Sequence, residues 1–391
     1  MATRRPRRRG APIGVLHAVP VTPGAAAGSL LPALERVLAG GDDAVLPVQA
    51  GAEPSAALRV GDPIDEGIAL VVTTSGTTGT PKGALLTAAA LRASASATHD
   101  RLNGTGRWLL ALPPYHIAGI QILVRSVLAG AAPVELDVSS GLAVADLPAA
   151  VEKLGSGRRY TSLVATQLAK ALTDPAATAA LAELDAVLIG GGPTPRSILD
   201  SAAAAGVSVV RTYGMSETAG GCVYDGVPLD GVQVRMADDN RIVIGGETIA
   251  EGYRNPVDPD PFAEPGWFST KDIGVIDDSG VLTVLGRVDD AISSGGLTVL
   301  PQLVEAALST HPAVSDCAVF GVADDRLGQR VVAAVVVADD CTAPSLAALR
   351  SHVAQTLDAT AAPRQLHVVD ALPTRGIGKV DRRELARRFG D

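Results

Sequence analysis

Thr73-Thr74-Ser75-Gly76-Thr77-Thr78-Gly79-Thr80-Pro81-Lys82-Gly83 is the stretch on which the reading of this chain turns. Its eleven residues carry six hydroxyls, three glycines and one lysine. Glycine lets backbone N–H groups come close to an anion, hydroxyls donate further hydrogen bonds, and Lys82 adds a positive charge. The combination describes a grip on a polyphosphate. It is not a Walker A loop, because aligning Lys82 with that motif puts Pro81 where glycine is needed and Gly83 where Ser or Thr would hold magnesium. A polar surface loop between a strand and a helix is the plain alternative. Lysine is scarce, however: Lys82, Lys153, Lys170, Lys271 and Lys379 are the only five, so Lys82 is not one of many solubilising charges.

On either side the pattern is that of α/β layers. Residues 68–73 read as a buried strand entering the loop, and residues 87–97 as the helix after it. Residues 108–112 and 186–189 are further strands, each ending in a loop rich in Gly or Pro, where α/β proteins build ligand sites. Residues 241–286 change character, with short strands, the turn Asp278-Ser279-Gly280 and a Pro-rich stretch at 255–265, so a small β-rich subdomain is expected there. Beyond Arg287 the order is helix 301–309, strand 314–322, strand 329–337, helix 345–357 and strand 365–369, a unit of domain size. The expected architecture is therefore α/β: a large N-terminal domain of layered α/β subdomains with a small β-rich subdomain (1–287), and a small mobile α+β C-terminal domain (288–391). The boundary falls near Asp289.

Bulk properties exclude several functions. A chain of 391 residues exceeds a typical single core, and a net charge of −9 argues against a nucleic-acid binder. The one basic cluster, at residues 4–9, reads as a solvated tail. The longest apolar run, residues 331–338, suits a buried strand and falls well short of the ~20 residues that span a bilayer. Neither stable membrane insertion nor export is expected. Cys222, Cys317 and Cys341 are odd in number and far apart, and the six histidines are scattered, which fits a reducing cytoplasm and gives no zinc framework. A homo-oligomer is compatible with these properties.

Five more stretches carry chemistry. Thr212-Tyr213-Gly214-Met215-Ser216-Glu217 follows a strand at 207–211; the face of Tyr213 can stack on adenine and Glu217 can hold the Mg²⁺ that ATP brings. Gly190-Gly191-Gly192-Pro193 follows another strand, where missing side chains would admit a flat base, although a tight turn explains it equally well alone. Gly266-Trp267-Phe268-Ser269-Thr270-Lys271-Asp272 and Gly286-Arg287-Val288-Asp289-Asp290 flank the junction, and as a surface ion pair Arg287 and Asp289 would be worth little. Arg375-Gly376-Ile377-Gly378-Lys379-Val380 precedes the last helix, on a loop, with one of the rare lysines between glycines and that helix.

Together, and in this order, the stretches resemble the signatures of the adenylate-forming superfamily, which includes acyl-CoA synthetases, peptide-synthetase adenylation domains and beetle luciferases. The resemblance covers most of the chain. It implies that residues 74–80 and Lys82 grip the triphosphate, that Thr78 and Glu217 hold Mg²⁺, and that Gly190, Gly191, Gly192, Pro193 and 212–216 enclose adenine. It also implies that Asp272 accepts from both ribose hydroxyls, that Arg287 reaches ribose or phosphate, and that Lys379 performs the adenylation chemistry. Two departures stand out: Ser216 replaces the more usual Thr, and Lys271 stands where Gly is usual. By the same resemblance Asp289 is a hinge about which the C-terminal domain swings between adenylation and thioester formation, with residues 293–296 then admitting pantetheine.

Leu112-Pro113-Pro114-Tyr115-His116-Ile117-Ala118-Gly119 resembles the family's acyl-pocket segment, with His116 at an aromatic gate; a satisfied core histidine is the ordinary alternative. The His-Ile-Ala-Gly form and the short N-terminal region resemble a branch of CoA ligases serving menaquinone synthesis. Its acid carries two carboxylates and a ketone. One carboxylate is activated, and the second needs a polar anchor, for which Arg158, Arg159, Ser162, Thr166 and Gln167 are candidates. Arg158 and Arg159 serve equally well as surface charges, and residues 325–330 are a candidate contact for CoA. The resemblance thus implies ATP, Mg²⁺ and CoA as cosubstrates. The rival readings are a peptide-synthesis adenylation domain, a fatty acyl-AMP ligase and a non-catalytic nucleotide sensor.

Overall fold

The chain opens on a sheet of mixed direction. β1 (Gly14–Val21) is joined through α1 (Ala26–Leu38) to the parallel β2 (Ala44–Gln49); β3 (Pro63–Ile64) pairs antiparallel with β1, β4 (Ile68–Val72) parallel with β2, and β5 (Ala84–Thr87) antiparallel with β4. The computed structural model describes residues 14–74, 80–375 and 379–390, without the side chains of Ala27, Arg375 and Lys379. Phosphate-loop residues Ser75, Gly76, Thr77, Thr78 and Gly79, the arginines of residues 4–9, and residues 376–378 lie outside the described residues.

A second sheet follows from α2 (Ala88–Arg101), β6 (Arg107–Leu110), α3 (Ile117–Ala129), β7 (Val134–Glu135), α4 (Leu147–Lys153), β8 (Arg159–Val164), α5 (Ala165–Leu172), α6 (Pro175–Ala182), β9 (Ala186–Gly190), α7 (Arg196–Ala204), β10 (Val209–Met215), β11 (Gly220–Tyr224) and β12 (Val227–Pro228). Its order is β12-β11-β10-β9-β8-β6-β7, parallel from β10 to β7. Parallel strands are covered on both faces, so they read as continuous apolar runs whose side chains alternate between two cores. Trp108, Leu110, Tyr160 and Leu188 face a core shared with α1–α3 and the first sheet. Leu109, Leu163, Val187 and Ile189 face a separate core under α4, α6 and α7. Thr87 starts α2 by accepting from the Ala90 N–H at 3.0 Å, and Gly130 ends α3 at φ 64°.

β13 (Val232–Met236), β14 (Arg241–Gly246), β15 (Trp267–Ile276) and β16 (Leu282–Arg287) form an antiparallel sheet. The remaining chain builds β17 (Ile292–Ser294), β18 (Leu297–Val299), α8 (Pro301–Leu308), β19 (Val314–Asp324), β20 (Gly328–Val337), α9 (Leu346–Val353) and β21 (Gln365–Val368), then the small hairpin β22 (Thr374–Arg375) and β23 (Lys379–Val380), and α10 (Arg382–Phe389). This last part has two apolar clusters of its own, one on each face of β19–β20.

The architecture is the mixed α/β one expected, with four local corrections. The strand expected at 207–211 continues through Tyr213, Gly214 and Met215, because β11 turns back and pairs with it. The β-rich sheet begins at Val232, nine residues before the expected start, since β13 supplies the partner for β14. The backbone of Lys379 lies in a hairpin rather than a loop, paired with Arg375. The helix expected over 345–357 ends at Val353 and continues only as turns.

Candidate active site

The first cluster of candidate residues is assembled where β9 and β10 end. Gly190 closes β9 so near its neighbour that an added Cβ would lie 2.4 Å from Thr212 Oγ1, whose hydroxyl donates to the Ile189 carbonyl at 3.3 Å. A Cβ on Gly214 would meet the Gly220 carbonyl oxygen at 2.1 Å, so β10 and β11 approach only through glycine. Gly192, by contrast, faces open space, and Gly191 turns the chain at φ +85°. The strands therefore pack backbone to backbone here, and open space begins at Gly192.

Tyr213 and Asp272 meet there: the phenol donates to Asp272 Oδ2 at 2.7 Å, and Arg287 Nη1 donates to Oδ1 at 3.0 Å. Asp272 is only 6% exposed. Burial, reinforced by that carboxylate, raises the Tyr213 pKa, so the phenol stays a donor. Two carboxylate oxygens offer about four acceptor directions, which leaves Asp272 able to take ribose hydroxyls as well. Arg287 also grips Asp289 through Nε and Nη2 at 2.9 and 3.1 Å, and Lys271 Nζ reaches Asp289 Oδ2 at 3.4 Å. Burial alone would raise the Asp289 pKa; the two cations outweigh it and hold the carboxyl below its usual range. The ion pair weighed from sequence is present, and Arg287 serves Asp272 in addition.

The phosphate side rests on the segment 250–255. Tyr253 pairs with Ala84 in an isolated antiparallel bridge, the Arg254 N–H donates to the Gly83 carbonyl at 2.8 Å, and the Asn255 N–H donates to the Lys82 carbonyl at 3.0 Å. The Asn255 side-chain amide adds a 2.7 Å bond to the Pro81 carbonyl. Arg254 itself is buried, donating to the carbonyls of Leu58, Arg59 and Pro63, which ties this base to the first sheet's loops. Lys82 Nζ sits 4.9 Å above the centre of the Tyr253 ring, and the Tyr253 hydroxyl donates to Glu217 Oε1 at 2.6 Å. Thr74 Oγ1, at the mouth of the loop, is buried with no partner among the described residues.

Glu217 is held by a one-turn helix, Ser216–Thr218, and by its carbonyl, which accepts from the Ala250 N–H at 2.9 Å. Thr218 Oγ1 locks that turn, accepting from the Met215 N–H and donating to the Gly220 carbonyl. The carboxylate is 8% exposed and faces no cationic side chain within 4.0 Å among the described residues. A buried carboxylate without a cation is costly, and a divalent ion arriving with phosphate oxygens satisfies it. The residues therefore fit Mg²⁺ carried by ATP. Thr78, the other expected ligand, lies outside the described residues. No group of three His, Cys, Asp or Glu side chains forms a ready-made metal cluster among the described residues.

On the acyl side, His116 is the N-cap residue of α3, its ring 4.9 Å from that of Tyr115. A Cβ on Gly119 would collide with the Pro113 carbonyl at 2.4 Å, so glycine alone lets the first turn of α3 pack on residues 112–114. Arg158 and Arg159 prove to be surface charges: Arg159 pairs with Glu183 at 3.2 Å and Arg158 lies 3.9 Å from Asp185. They stand at the start of β8, about 16 Å from the end where Gly190 lies, at the usual rise per strand residue. Gln167 spends its amide on the Val164 N–H and the Ala111 carbonyl. Ser162 is buried and Thr166 exposed.

Sequence reasoning missed Tyr253, Arg254 and Asn255. The usable signal was scarcity, because tyrosine occurs only five times, and one of them sits at Gly252-Tyr253 in a segment without periodicity.

The structure thus brings Tyr213, Asp272 and Arg287 into one cluster and Lys82, Glu217 and Tyr253 into another, an arrangement compatible with nucleotide activation. The chain belongs to the AMP-binding enzyme family, whose profile matches residues 29–254, while the profile for the AMP-binding enzyme C-terminal domain matches 303–379. It is 72% identical over 377 residues to the probable 2-succinylbenzoate–CoA ligase of Mycobacterium tuberculosis, which spans 96% of this chain and 98% of that protein. With the 2-succinylbenzoate–CoA ligase of Geobacillus kaustophilus it shares 35% identity over 390 residues, covering 92% of this chain and 78% of the relative. Among solved structures it is similar to the o-succinylbenzoate coenzyme A synthetase from Bacillus subtilis in complex with ATP and magnesium ion. That match has a TM-score of 0.69 and 26% identity, covering 88% of this chain and 75% of the other.

Proposed function

We propose that this chain is an AMP-forming acid–thiol ligase that adenylates 2-succinylbenzoate (o-succinylbenzoate) and transfers the acyl group to CoA. The acid's identity rests on one observation: 72% identity maintained over 96% of this chain and 98% of a relative bearing that name. The chemistry is supported by the Asp272–Tyr213–Arg287 cluster and the lysine and glutamate facing Tyr253.

In the first step a carboxylate oxygen attacks the α-phosphorus of ATP, the bond to the bridging oxygen breaks, and pyrophosphate leaves. Negative charge accumulates on phosphoryl oxygens, so cations placed there lower the barrier. Lys82 supplies one from the phosphate loop, and Lys379 supplies the second on a flexible stem. Glu217 and Thr78 would hold Mg²⁺, which would neutralise charge on the phosphates when bound. Asp272 takes the ribose hydroxyls, residues 190–193 and 212–216 enclose the base, and residues 74–80 cradle the phosphates. In the second step the CoA sulfur attacks the acyl carbon, AMP departs and the thiol proton is released. His116 gates the acyl pocket. Asp289 is the pivot on which residues 288–391 turn between steps, bringing 293–296 to the pantetheine path. No helix among the described residues is long and apolar enough to cross a membrane. The reading places the enzyme in the cytoplasm with ATP, CoA and the acid as partners, and it admits a homo-oligomer.

The test is pyrophosphate release over a panel of acids, with and without CoA. Sustained turnover with 2-succinylbenzoate only when CoA is present is the expected result. Turnover with an amino acid, or with a fatty acid and no thiol, would overturn the assignment.

A further inference from the structure

Lys82 and Glu217 carry opposite charges, serve the same triphosphate and are not in contact. What stands between them is Tyr253. Its ring face lies under the ammonium at 4.9 Å, within cation–π range, and its hydroxyl holds Glu217 Oε1 at 2.6 Å. Phe262 packs edge-on against the same ring, with centroids 5.2 Å apart, and the backbone bridge to Ala84 fixes where the ring starts. The position is therefore built into the fold, because the bridge partner Ala84 is two residues along the chain from Lys82.

Tyr253 is thus a side chain that touches both charged groups. A lysine stem is long and rotatable, and a desolvated carboxylate attracts the nearest cation. A closed Lys82–Glu217 pair would occupy the carboxylate meant for the metal and neutralise the cation meant for the phosphate. We propose that Tyr253 is a positioning residue: a spacer whose ring parks Lys82 and whose hydroxyl orients Glu217, keeping both ready for Mg·ATP. The hydroxyl bond to Oε1 leaves Oε2 as the oxygen presented to the ion.

The inference rests on the reading that ATP binds here, but its test needs neither acid nor CoA. ATP affinity is measured by titration calorimetry on the full chain, across a Mg²⁺ series and in EDTA. Tyr253→Phe keeps the ring and loses the hydroxyl. It is expected to raise the Mg²⁺ concentration for half-maximal enhancement of ATP binding about tenfold, the scale of one hydrogen bond to a charged group. Metal-free affinity should stay within twofold. Tyr253→Leu removes the spacer and is expected to weaken metal-free ATP binding as well. Adding Glu217→Gln to Tyr253→Leu should restore metal-free binding by freeing Lys82, an effect that a merely structural tyrosine would not produce. Wild-type Mg²⁺ dependence in Tyr253→Phe would overturn the proposal, and that arm decides the matter even where the leucine variant fails to fold. Failure of the wild type to bind ATP would instead sink the function proposed above, and failure to release pyrophosphate would sink it without touching this result.

Discussion

Asp272 carries more than one duty in very little space. Its two oxygens are fixed by Tyr213 and Arg287, and almost none of it reaches solvent. Asparagine has nearly the same shape but presents an N–H₂ where an oxygen stood, so either Arg287 or the Tyr213 hydroxyl must face a donor. Asp272→Asn is therefore expected to weaken ATP binding about ten- to a hundredfold and to lower stability by about 1–3 kcal/mol. Calorimetric titration and urea unfolding measure the two effects; unchanged ATP affinity would remove Asp272 from the ribose site. Such residues could be singled out in the sequence because each sits in a string with its own chemistry. Tyr253 was not readable, since its role arises from a single bridge to Ala84 that brings together segments 169 positions apart, a pairing no local pattern encodes. Arg158 and Arg159 failed as anchors for the opposite reason. Their charge was visible but the direction of β8 was not, and direction places them at the wrong end of the sheet.

α10 shows what decides placement at the scale of an element. It is strongly polar, and Leu385 is its one buried residue. It is held at its start by Arg382, which makes two bonds to Glu305 on α8 at 2.8 and 2.7 Å and a third to the Val319 carbonyl at 3.1 Å. Burial raises the Glu305 pKa, and Arg382 and the Val319 N–H oppose that shift. Arg382→Met should cost about 2 kcal/mol, below the ~3–5 kcal/mol of a fully buried pair, because Arg382 keeps 22% of its side chain exposed. Hydrogen exchange should show fraying confined to α10 and β22–β23, with the first two sheets unchanged; uniform loss of protection would show that the pair holds more than this corner. Three strands and the helix at 301–309 of the last hundred residues were readable almost to their ends because alternation is a local signal, whereas the short strands β17, β18, β22 and β23 were not. The extension of β10 and the early start at β13 were not, since each depends on a partner strand supplied by the fold.

At the scale of the whole molecule, the seam joining α2, α3 and the second sheet contains a buried cation with no carboxylate partner among the described residues. Arg125 is 3% exposed and donates to Thr98 Oγ1 at 3.2 Å and the Tyr224 hydroxyl at 3.3 Å, with the Trp108 ring 4.9 Å away. Beside it His99 Nε2 accepts from Trp108 Nε1 at 3.3 Å, a bond that only the neutral imidazole can make. Burial, then the Arg125 charge, lowers the His99 pKa to about 4, with Asp100 opposing weakly. In the unfolded chain the imidazole takes up a proton below its ordinary value of about 6.5. Between the two values the unfolded state binds more protons, so stability rises with pH there. The contribution is intact above pH ~6.5, falls as the pH drops toward 4, and levels off below, a loss of at most about 3 kcal/mol. His99→Gln, which keeps an acceptor for Trp108 and cannot be protonated, should flatten that slope. Urea midpoints at pH 7.5, 6 and 5 measure it, and a variant as acid-sensitive as the wild type would assign the slope to carboxylates elsewhere. The same seam ties the first sheet to the second, so acid weakening should loosen the wall behind the candidate nucleotide site before it reaches the last hundred residues, whose cores are their own.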